Sequence, residues 1–159
     1  MASATKSPPY GAYATIMGAF VGGLGGAGIA ARALKRDPAC QTALDFLVLS
    51  AASFKAARTF ARDEVASFLR EPFVEGDARD GADEPIATGD FRQAVGELVT
   101  CSRCIGTRAA AGLATTQILA PRFGRLLTWS LAAAGANDWL QAGFSALAHK
   151  SNELEQRAG

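Results

Sequence analysis

Groups that activate a nucleophile are scarce in this chain, which contains one histidine, His149, among 159 residues. It has no G-x-S-x-G sequence, and its glycine-rich stretch follows no predicted strand, so neither a nucleophile elbow nor a phosphate-binding loop is expected. The formal net charge of +1 provides no polycationic surface for nucleic acid. We therefore expect a protein that is not an enzyme, does not bind nucleic acid and needs no cofactor other than, in one alternative, zinc.

Charged side chains are absent from two long stretches of the chain. No Lys, Arg, Asp, Glu or His occurs from Ser7 to Ala31, and none from Leu126 to Asn137. Residues 62–97, by contrast, hold ten acidic residues and four arginines, a local balance of −6. Such a separation of charge is typical of membrane-embedded helices around a solvated loop rather than of one water-soluble core.

The first apolar stretch, Tyr10–Ala31, has 22 residues, enough to cross a hydrocarbon core of roughly 30 Å as a helix. It follows a polar tail at residues 1–9, and three basic residues close its far end, which predicts a first transmembrane helix over residues 10–36. Arg32 interrupts the small residues that follow the apolar run, which favours a retained anchor over a cleaved signal peptide.

Small residues recur every four positions along this first helix, at Ala14, Gly18, Gly22 and Gly26. This spacing places them along one face, where another backbone can approach closely in lipid. The motif predicts helix packing, either against another helix of the same chain, which we favour, or between copies in a homo-oligomer.

Residues 43–69 form a second predicted helical segment, in which Lys55 and Arg58 interrupt apolar residues. Charges inside a span cost on the order of several kcal/mol unless they are paired. We therefore expect an amphipathic helix at the membrane interface, with a true span as the alternative. Polar residues 70–96 follow as a solvated loop without a calcium-binding pattern, and Asp90 or Thr88 is expected to cap the next helix.

The next helix is predicted to continue without a break through Cys101 and Cys104 to Pro121. A 23-residue apolar run, Leu126–Ala148, follows and precedes a charged tail at residues 149–159. The predicted fold class is an all-α integral membrane bundle of three transmembrane helices, or four in the alternative, with an amphipathic interfacial helix. In the three-span model, thirteen of the 16 Lys and Arg residues lie on the cytoplasmic side, with the amino terminus outside and the carboxyl terminus in the cytoplasm.

Three cysteines, an odd number, argue against a disulfide framework and favour a reducing compartment. Cys101 and Cys104 have C-x-x-C spacing, which supplies half of a tetrahedral zinc site. Cys40, His149 or a second protomer would complete it. The alternatives are a redox dithiol activated by neighbouring arginines and two cysteines that serve only as small packing residues.

Asp138 interrupts the last apolar run near its middle, and an acid at that depth predicts a partner of opposite charge. The candidate partners are Arg108, Arg58 and Lys55. We favour an ion pair that clamps the helices over a proton or ion relay, because a relay needs a chain of titratable groups.

Several short motifs, in the same order along the chain, resemble the bacterial membrane family called domain of unknown function 1360. The C-x-x-C-x-G motif is part of this resemblance, with Ser102 and Arg108 where the family usually has Pro and Trp. The resemblance covers residues 43–148 and implies a small multi-span membrane protein, with no implied reaction. The motifs are Asp45-Phe46-Leu47, Lys55-Ala56-Ala57-Arg58, Arg62-Asp63-Glu64-Val65, Leu69-Arg70-Glu71-Pro72-Phe73, Gly96-Glu97-Leu98, Cys101 to Gly106, and Asp138-Trp139-Leu140.

These observations predict a multi-pass protein of the bacterial cytoplasmic membrane that acts as a structural or accessory subunit. Its expected partners are the lipid bilayer and another membrane protein or further copies of itself. One alternative is a metal- or thiol-dependent membrane protein that uses Cys101 and Cys104. A weaker alternative is an oligomeric transport or holin-like protein with Asp138 in a polar path.

Overall fold

The structure is a computed structural model that describes residues 8–36, 41–76 and 83–158. The described residues form six α-helices and one short antiparallel pair of strands, with two 3₁₀ turns, Glu64–Ala66 and Glu71–Phe73, on either side of α3. The all-α prediction is therefore confirmed. The elements are α1 (Tyr10–Ala33), α2 (Ala43–Arg62), α3 (Ser67–Arg70), β1 (Val74–Glu75), β2 (Glu84–Pro85), α4 (Phe91–Thr100), α5 (Ser102–Leu119) and α6 (Pro121–Ala158).

Helix α2 is the central element, because it packs against both α5 and α6. Asp45 near its start contacts Arg125 near the start of α6, and Lys55 contacts Asp138 farther along both helices, so α2 and α6 run parallel. Gly106 near the start of α5 faces the last turns of α2, so α5 is antiparallel to both. The helix α2 therefore lies inside the bundle, between α5 and α6.

Helix α1 lies along α5 in the same direction. Tyr13 near its start donates a hydrogen bond to Glu97 of α4, immediately before α5 begins. At the other end, Ala31 is buried and lies with Ile118 and Leu119 in the last turn of α5. The two helices thus run parallel, with a groove between them.

The core of the bundle is built from small side chains. Ala52, Leu113 and Ala132 bring α2, α5 and α6 together, with partly buried Val48, Leu49, Leu127 and Leu131 around them. Gly135 of α6 lets the two parallel helices approach closely, since a Cβ there would lie 3.3 Å from the Cβ of Lys55. Alanine and glycine at these contacts keep the helices near one another.

Local sequence explains where several helices begin. Thr42 and Asp45 form a capping box at the start of α2, in which each side chain accepts a hydrogen bond from the other residue's backbone N–H. Asp90 caps α4, as predicted, by accepting from the N–H groups of Arg92 and Gln93. Pro121 opens α6, where its fixed φ and missing N–H are tolerated.

Two predicted segments contain more regular structure than a loop and a tail. Both strands lie within the predicted loop over residues 70–96, and α4 begins at Phe91, directly after the predicted cap Asp90. The predicted charged tail is helical as far as Ala158, because α6 continues through it as one helix of 38 residues. Ion pairs of Glu153 with Lys150 and Arg157, three and four residues away, support this exposed part of the helix.

Within the described residues, α1 is the one helix whose length and apolar composition suffice for a membrane span. A helix of this kind near the amino terminus also fits a signal sequence. The predicted bundle of three or four spans is therefore not supported by helix composition. Charged residues within α2 and α5, and Asp138 with its polar neighbours in α6, lower the hydropathy of these helices.

Candidate functional site

The cysteine pair lies at a break between two helices. Cys101 has φ −88° and ψ 100°, which ends α4 at Thr100 and starts α5 at Ser102. Its Sγ accepts a hydrogen bond from the backbone N–H of Cys104 at 3.3 Å, so it serves as the amino-terminal cap of α5. The prediction of one continuous helix through the motif is wrong.

This position changes the chemistry of Cys101. The hydrogen bond from the Cys104 thiol lowers the pKa of Cys101 below its usual value, although partial burial opposes the shift. The backbone N–H groups of Cys104 and Arg103 and the charge of Arg103 lower this pKa further. Cys101 is partly exposed and Cys104 is exposed, so neither thiol is a buried packing residue. The arrangement favours a reactive thiolate at Cys101.

For the zinc alternative, the structure provides two candidate ligands, Cys101 and Cys104. Among the described residues, no group of three or more His, Cys, Asp or Glu side chains is placed to hold a metal ion. His149 is exposed on the last part of α6, and Cys40 lies outside the described residues. A structural zinc site needs four ligands, so a second protomer would have to complete it.

Asp138 does have the partner that its position predicts. Lys55 donates to Asp138 Oδ2 at 2.8 Å, and its ammonium also lies 3.8 Å from Asp63 Oδ2. Thr59 donates to the same Asp63 oxygen at 2.8 Å. Because Lys55 comes from α2 and Asp138 from α6, this ion pair joins two parallel helices at the level where Gly135 brings them close.

The other two candidate partners of Asp138 lie elsewhere. Arg108 Nη1 donates to the Cys104 carbonyl at 3.1 Å, and its guanidinium lies 5.4 Å from the ring centre of Phe20 on α1. This is within the range of a cation–π contact. Arg58 lines a cleft of about 710 Å³ together with Arg103. Of the four predicted residues, the structure therefore brings together Lys55 and Asp138.

The small-residue face of α1 does not contact the rest of the described chain. Ala14, Gly18, Gly22 and Gly26 are exposed. A Cβ added at any of the three glycines would meet nothing within 4 Å. The favoured expectation of packing within the chain is therefore wrong for this face, because α1 uses another side to contact α5.

A buried ion pair was missed by the sequence analysis. The side chains of Arg70 and Asp83 are each 1 % exposed and lie 2.9 Å apart. Arg70 Nη1 also donates to the carbonyls of Phe60 and Asp63 at the end of α2. Among the described residues, the second oxygen of Asp83 is buried without a hydrogen-bond partner. The pair joins the residue directly before β2 to the end of α2, and the polar composition of the surrounding sequence gave no signal for it.

A polar contact between α1 and α4 was also missed. Tyr13 donates to one carboxylate oxygen of Glu97, and Gln93 donates to the other at 2.8 Å. The Gln93 side chain in turn accepts from the N–H of Gly89 at 2.8 Å. The sequence gives no sign of this contact, because no spacing rule links Tyr13 to a residue 84 positions away.

Comparison with known protein families identifies a match over the central part of the chain. Residues 48–144 match the model of a family described as "Protein of unknown function (DUF1360)". This match covers more than half of the chain and includes the C-x-x-C motif, Lys55 and Asp138. No curated protein and no solved structure matches the chain.

Proposed function

This chain belongs to the DUF1360 family, and we propose that it is a non-catalytic, membrane-embedded helical subunit. In this proposal α1, α2, α5 and α6 cross the bilayer, and the glycine face of α1 packs against a helix of another copy or of a partner membrane protein. The observation that carries the proposal is the distribution of side chains, with small residues inside the bundle and large apolar residues outside.

Exposed apolar surface supports the placement in lipid. The accessible surface of the chain is 10931 Å², whereas a soluble monomer of 16.5 kDa exposes about 7,500 Å². Large apolar side chains point outward around the bundle, where water would disfavour them and lipid would not. Examples are Leu44, Phe46, Phe54, Phe60, Leu126, Trp139, Leu140 and Phe144.

Helix length and charge pairing also support the placement of the bundle in lipid. Helix α2 has 20 residues and α5 has 18, so they are about 30 Å and 27 Å long, close to the thickness of a hydrocarbon core. Two of the charges that lower their hydropathy have partners, since Lys55 pairs with Asp138 and Arg108 lies against Phe20 and a carbonyl. Paired charges facing a bundle interior are the form in which ionisable residues occur inside membranes.

The glycine face of α1 supports the packing role. At roughly 100° per residue, Gly18 and Gly22 lie on the side of α1 away from residues such as Phe20 and Leu24, which face α5. Because nothing in the described chain covers this glycine face, it remains available to another helix. Close backbone approach along such a face is a common basis of helix association in membranes.

The packing role is tested by Gly22→Leu, with Gly23→Leu as the matched control on another side of the same helix. A Cβ at either position meets no atom of the described residues within 4 Å, so both variants should fold. We expect Gly22→Leu to abolish the complex captured by cross-linking in native membranes, and Gly23→Leu to preserve it. The mass of the complex distinguishes a homo-oligomer from a complex with another protein. A chain that is monomeric in its membrane, or equal behaviour of the two variants, would contradict the role.

A second candidate function, thiol–disulfide exchange, is favoured by Cys101 as the cap of α5. The Cys101 thiolate would attack a disulfide of a partner protein and form a mixed disulfide, with release of one partner thiolate. Cys104 would then attack Cys101, form the intramolecular disulfide and release the second partner thiolate. The chain is oxidised and the partner is reduced by two electrons, so the reaction balances without a cofactor.

This candidate is tested by the pH dependence of alkylation in a Cys40→Ser background. We expect Cys101 to react faster than Cys104 at neutral pH, with a midpoint below the usual value of about 8.5. Since the Cys104 thiol is the largest cause of the lowered pKa, Cys104→Ser should move the Cys101 midpoint upward. Peptide mass spectrometry measures both rates. Equal rates for the two thiols, or no change in Cys104→Ser, would exclude an activated dithiol.

A further inference from the structure

A groove of about 760 Å³ lies between the parallel helices α1 and α5. The residues that line it on both helices are mainly alanine, glycine and leucine, so its walls are apolar and carry mostly small side chains. A Cβ added at Gly28 would meet nothing within 4 Å, so the space is open rather than filled by neighbouring side chains. The lining residues include Leu24, Ala27 and Gly28 of α1 and Ala111, Ala114 and Ile118 of α5.

One end of this groove is positively charged. Arg32, Lys35 and Arg36 line it where α1 ends, and all three are exposed. Within the part of the chain that the structure describes, none of them forms an ion pair, and no acidic side chain lines the groove. The groove therefore combines an apolar channel with three cations at a single end.

We propose that this groove binds one anionic phospholipid, with an acyl chain between α1 and α5 and the phosphate at Arg32, Lys35 and Arg36. The apolar part from Leu24 to Ala31 is about 10 Å long at 1.5 Å per residue, which fits within one leaflet of a core roughly 30 Å thick. Basic pockets between membrane helices recognise anionic headgroups in this way. The proposal rests on the membrane placement of α1 and α5.

Charge favours an anionic lipid over a zwitterionic one. Among the described residues that line the groove, these three cations have no acidic side chain beside them. They attract a net negative headgroup, whereas a zwitterionic headgroup also brings a positive charge to them. The apolar channel favours a lipid over a free anion, because an anion alone would leave the alanine and glycine walls unoccupied. The position of the channel also leaves the opposite, glycine face of α1 free for another helix.

The test uses the full chain in detergent, with phosphatidylglycerol and phosphatidylcholine as probes and native mass spectrometry as the measurement. We expect phosphatidylglycerol to be retained more strongly than phosphatidylcholine. In the variant Arg32→Gln/Arg36→Gln this preference should fall by roughly 20-fold, as each cation near an anionic headgroup contributes about a factor of five. Arg122→Gln, a basic residue at the start of α6 outside the groove, is the control and should change nothing.

The apolar channel is tested separately with Gly28→Phe, which fills it, and Gly23→Phe as the control. Both positions have open space, and the thermal midpoint confirms that each variant folds. Gly28→Phe should reduce retention of both lipids, and Gly23→Phe should not. Retention that persists in Gly28→Phe, or displacement of the lipid by millimolar inorganic phosphate, would reduce the site to a headgroup or free-anion site and overturn the proposal.

The lipid-binding measurement distinguishes a failure of the proposed lipid site from a failure of the proposed membrane placement. Lipid retention is measured in detergent and does not depend on how many helices cross the bilayer. No preference for phosphatidylglycerol in a chain whose four helices span would overturn the lipid site alone. A preference that follows Arg32 and Arg36 in a chain with one span would overturn the four-helix membrane placement and leave the groove as an amphiphile site.

Discussion

At the scale of single residues, Lys55 joins α2 to α6 through an ion pair. It is 19 % exposed and lies beside two carboxylates, at 2.8 Å from Asp138 and 3.8 Å from Asp63. A charge at this depth is tolerated because it is paired. The same pairing weakens the transport or holin-like alternative, since Asp138 is engaged by a lysine rather than by a chain of titratable groups.

We expect Asp138→Ala to destabilise the protein by about 1–2 kcal/mol, because it leaves the Lys55 ammonium without its nearer partner at a half-buried site. The double variant Lys55→Met/Asp138→Leu should recover most of this loss, since both charges are removed together. Unfolding in detergent, followed by circular dichroism, measures these differences.

The control is the second ion pair between the same two helices, Arg125 with Asp45. Arg125 is largely exposed and the charged atoms lie 3.4 Å apart, so Arg125→Gln should cost less than about 0.5 kcal/mol. If Asp138→Ala were as mild as Arg125→Gln, Lys55 would not need its partner and the clamp interpretation would fail.

Residue-level prediction from the sequence succeeds where one rule dominates. A carboxylate in an apolar run requires a cation, so the need of Asp138 for a partner was predictable. Which of the three candidate cations fills that need depends on how α2 and α6 are rotated and on their close approach at Gly135, which no spacing in the sequence specifies. The pair Arg70–Asp83 was not predictable, because both residues lie in polar sequence.

At the scale of elements, the break at Cys101 shows how packing overrides local propensity. The residue between Thr100 and Ser102 is a cysteine rather than a glycine or a proline, so the local sequence favours a continuous helix. In the structure, Gly96 lets α4 pack directly against the carbonyl of Phe73, and this contact fixes the direction of α4. Helix α5 instead runs along α2. The chain changes direction between them, and the cap on α5 comes from a cysteine.

In the proposed arrangement, helix α2 shows a similar limit for the prediction of membrane placement. Hydropathy and two internal charges favour an interfacial helix, because they treat each charge as unpaired. The contact between Lys55 and Asp138 joins residues 83 positions apart, so a window along the sequence does not detect it. The first helix was predictable at its start, Tyr10, because the preceding prolines and the apolar run both indicate that boundary.

At the scale of the whole molecule, helix directions determine where the chain ends lie. Helices α1 and α5 run one way and α2 and α6 the other, so the start of α1 and the end of α6 lie at the same end of the bundle. This differs from the three-span arrangement, which places the two termini on opposite sides of the membrane.

If all four helices cross the bilayer, single cysteines introduced near the two termini should be accessible from the same side of the membrane. A cysteine introduced at Arg122, beside the connection between α5 and α6, should react from the other side. Labelling of intact cells with an impermeant maleimide, in a background without the native cysteines, measures all three positions. Termini on opposite sides would support one or three spans and exclude the four-helix arrangement.

The pairing of Lys55 with Asp138 also has a consequence for biosynthesis. The two residues are 83 positions apart, so at 5–20 residues per second the ribosome adds Asp138 about 4–17 seconds after Lys55. During that interval Asp63 is the one carboxylate of this cluster already made. In the proposed arrangement, we therefore expect α2 to enter the bilayer core fully only after α6 has been synthesised, so that the last helix completes the membrane insertion of the second.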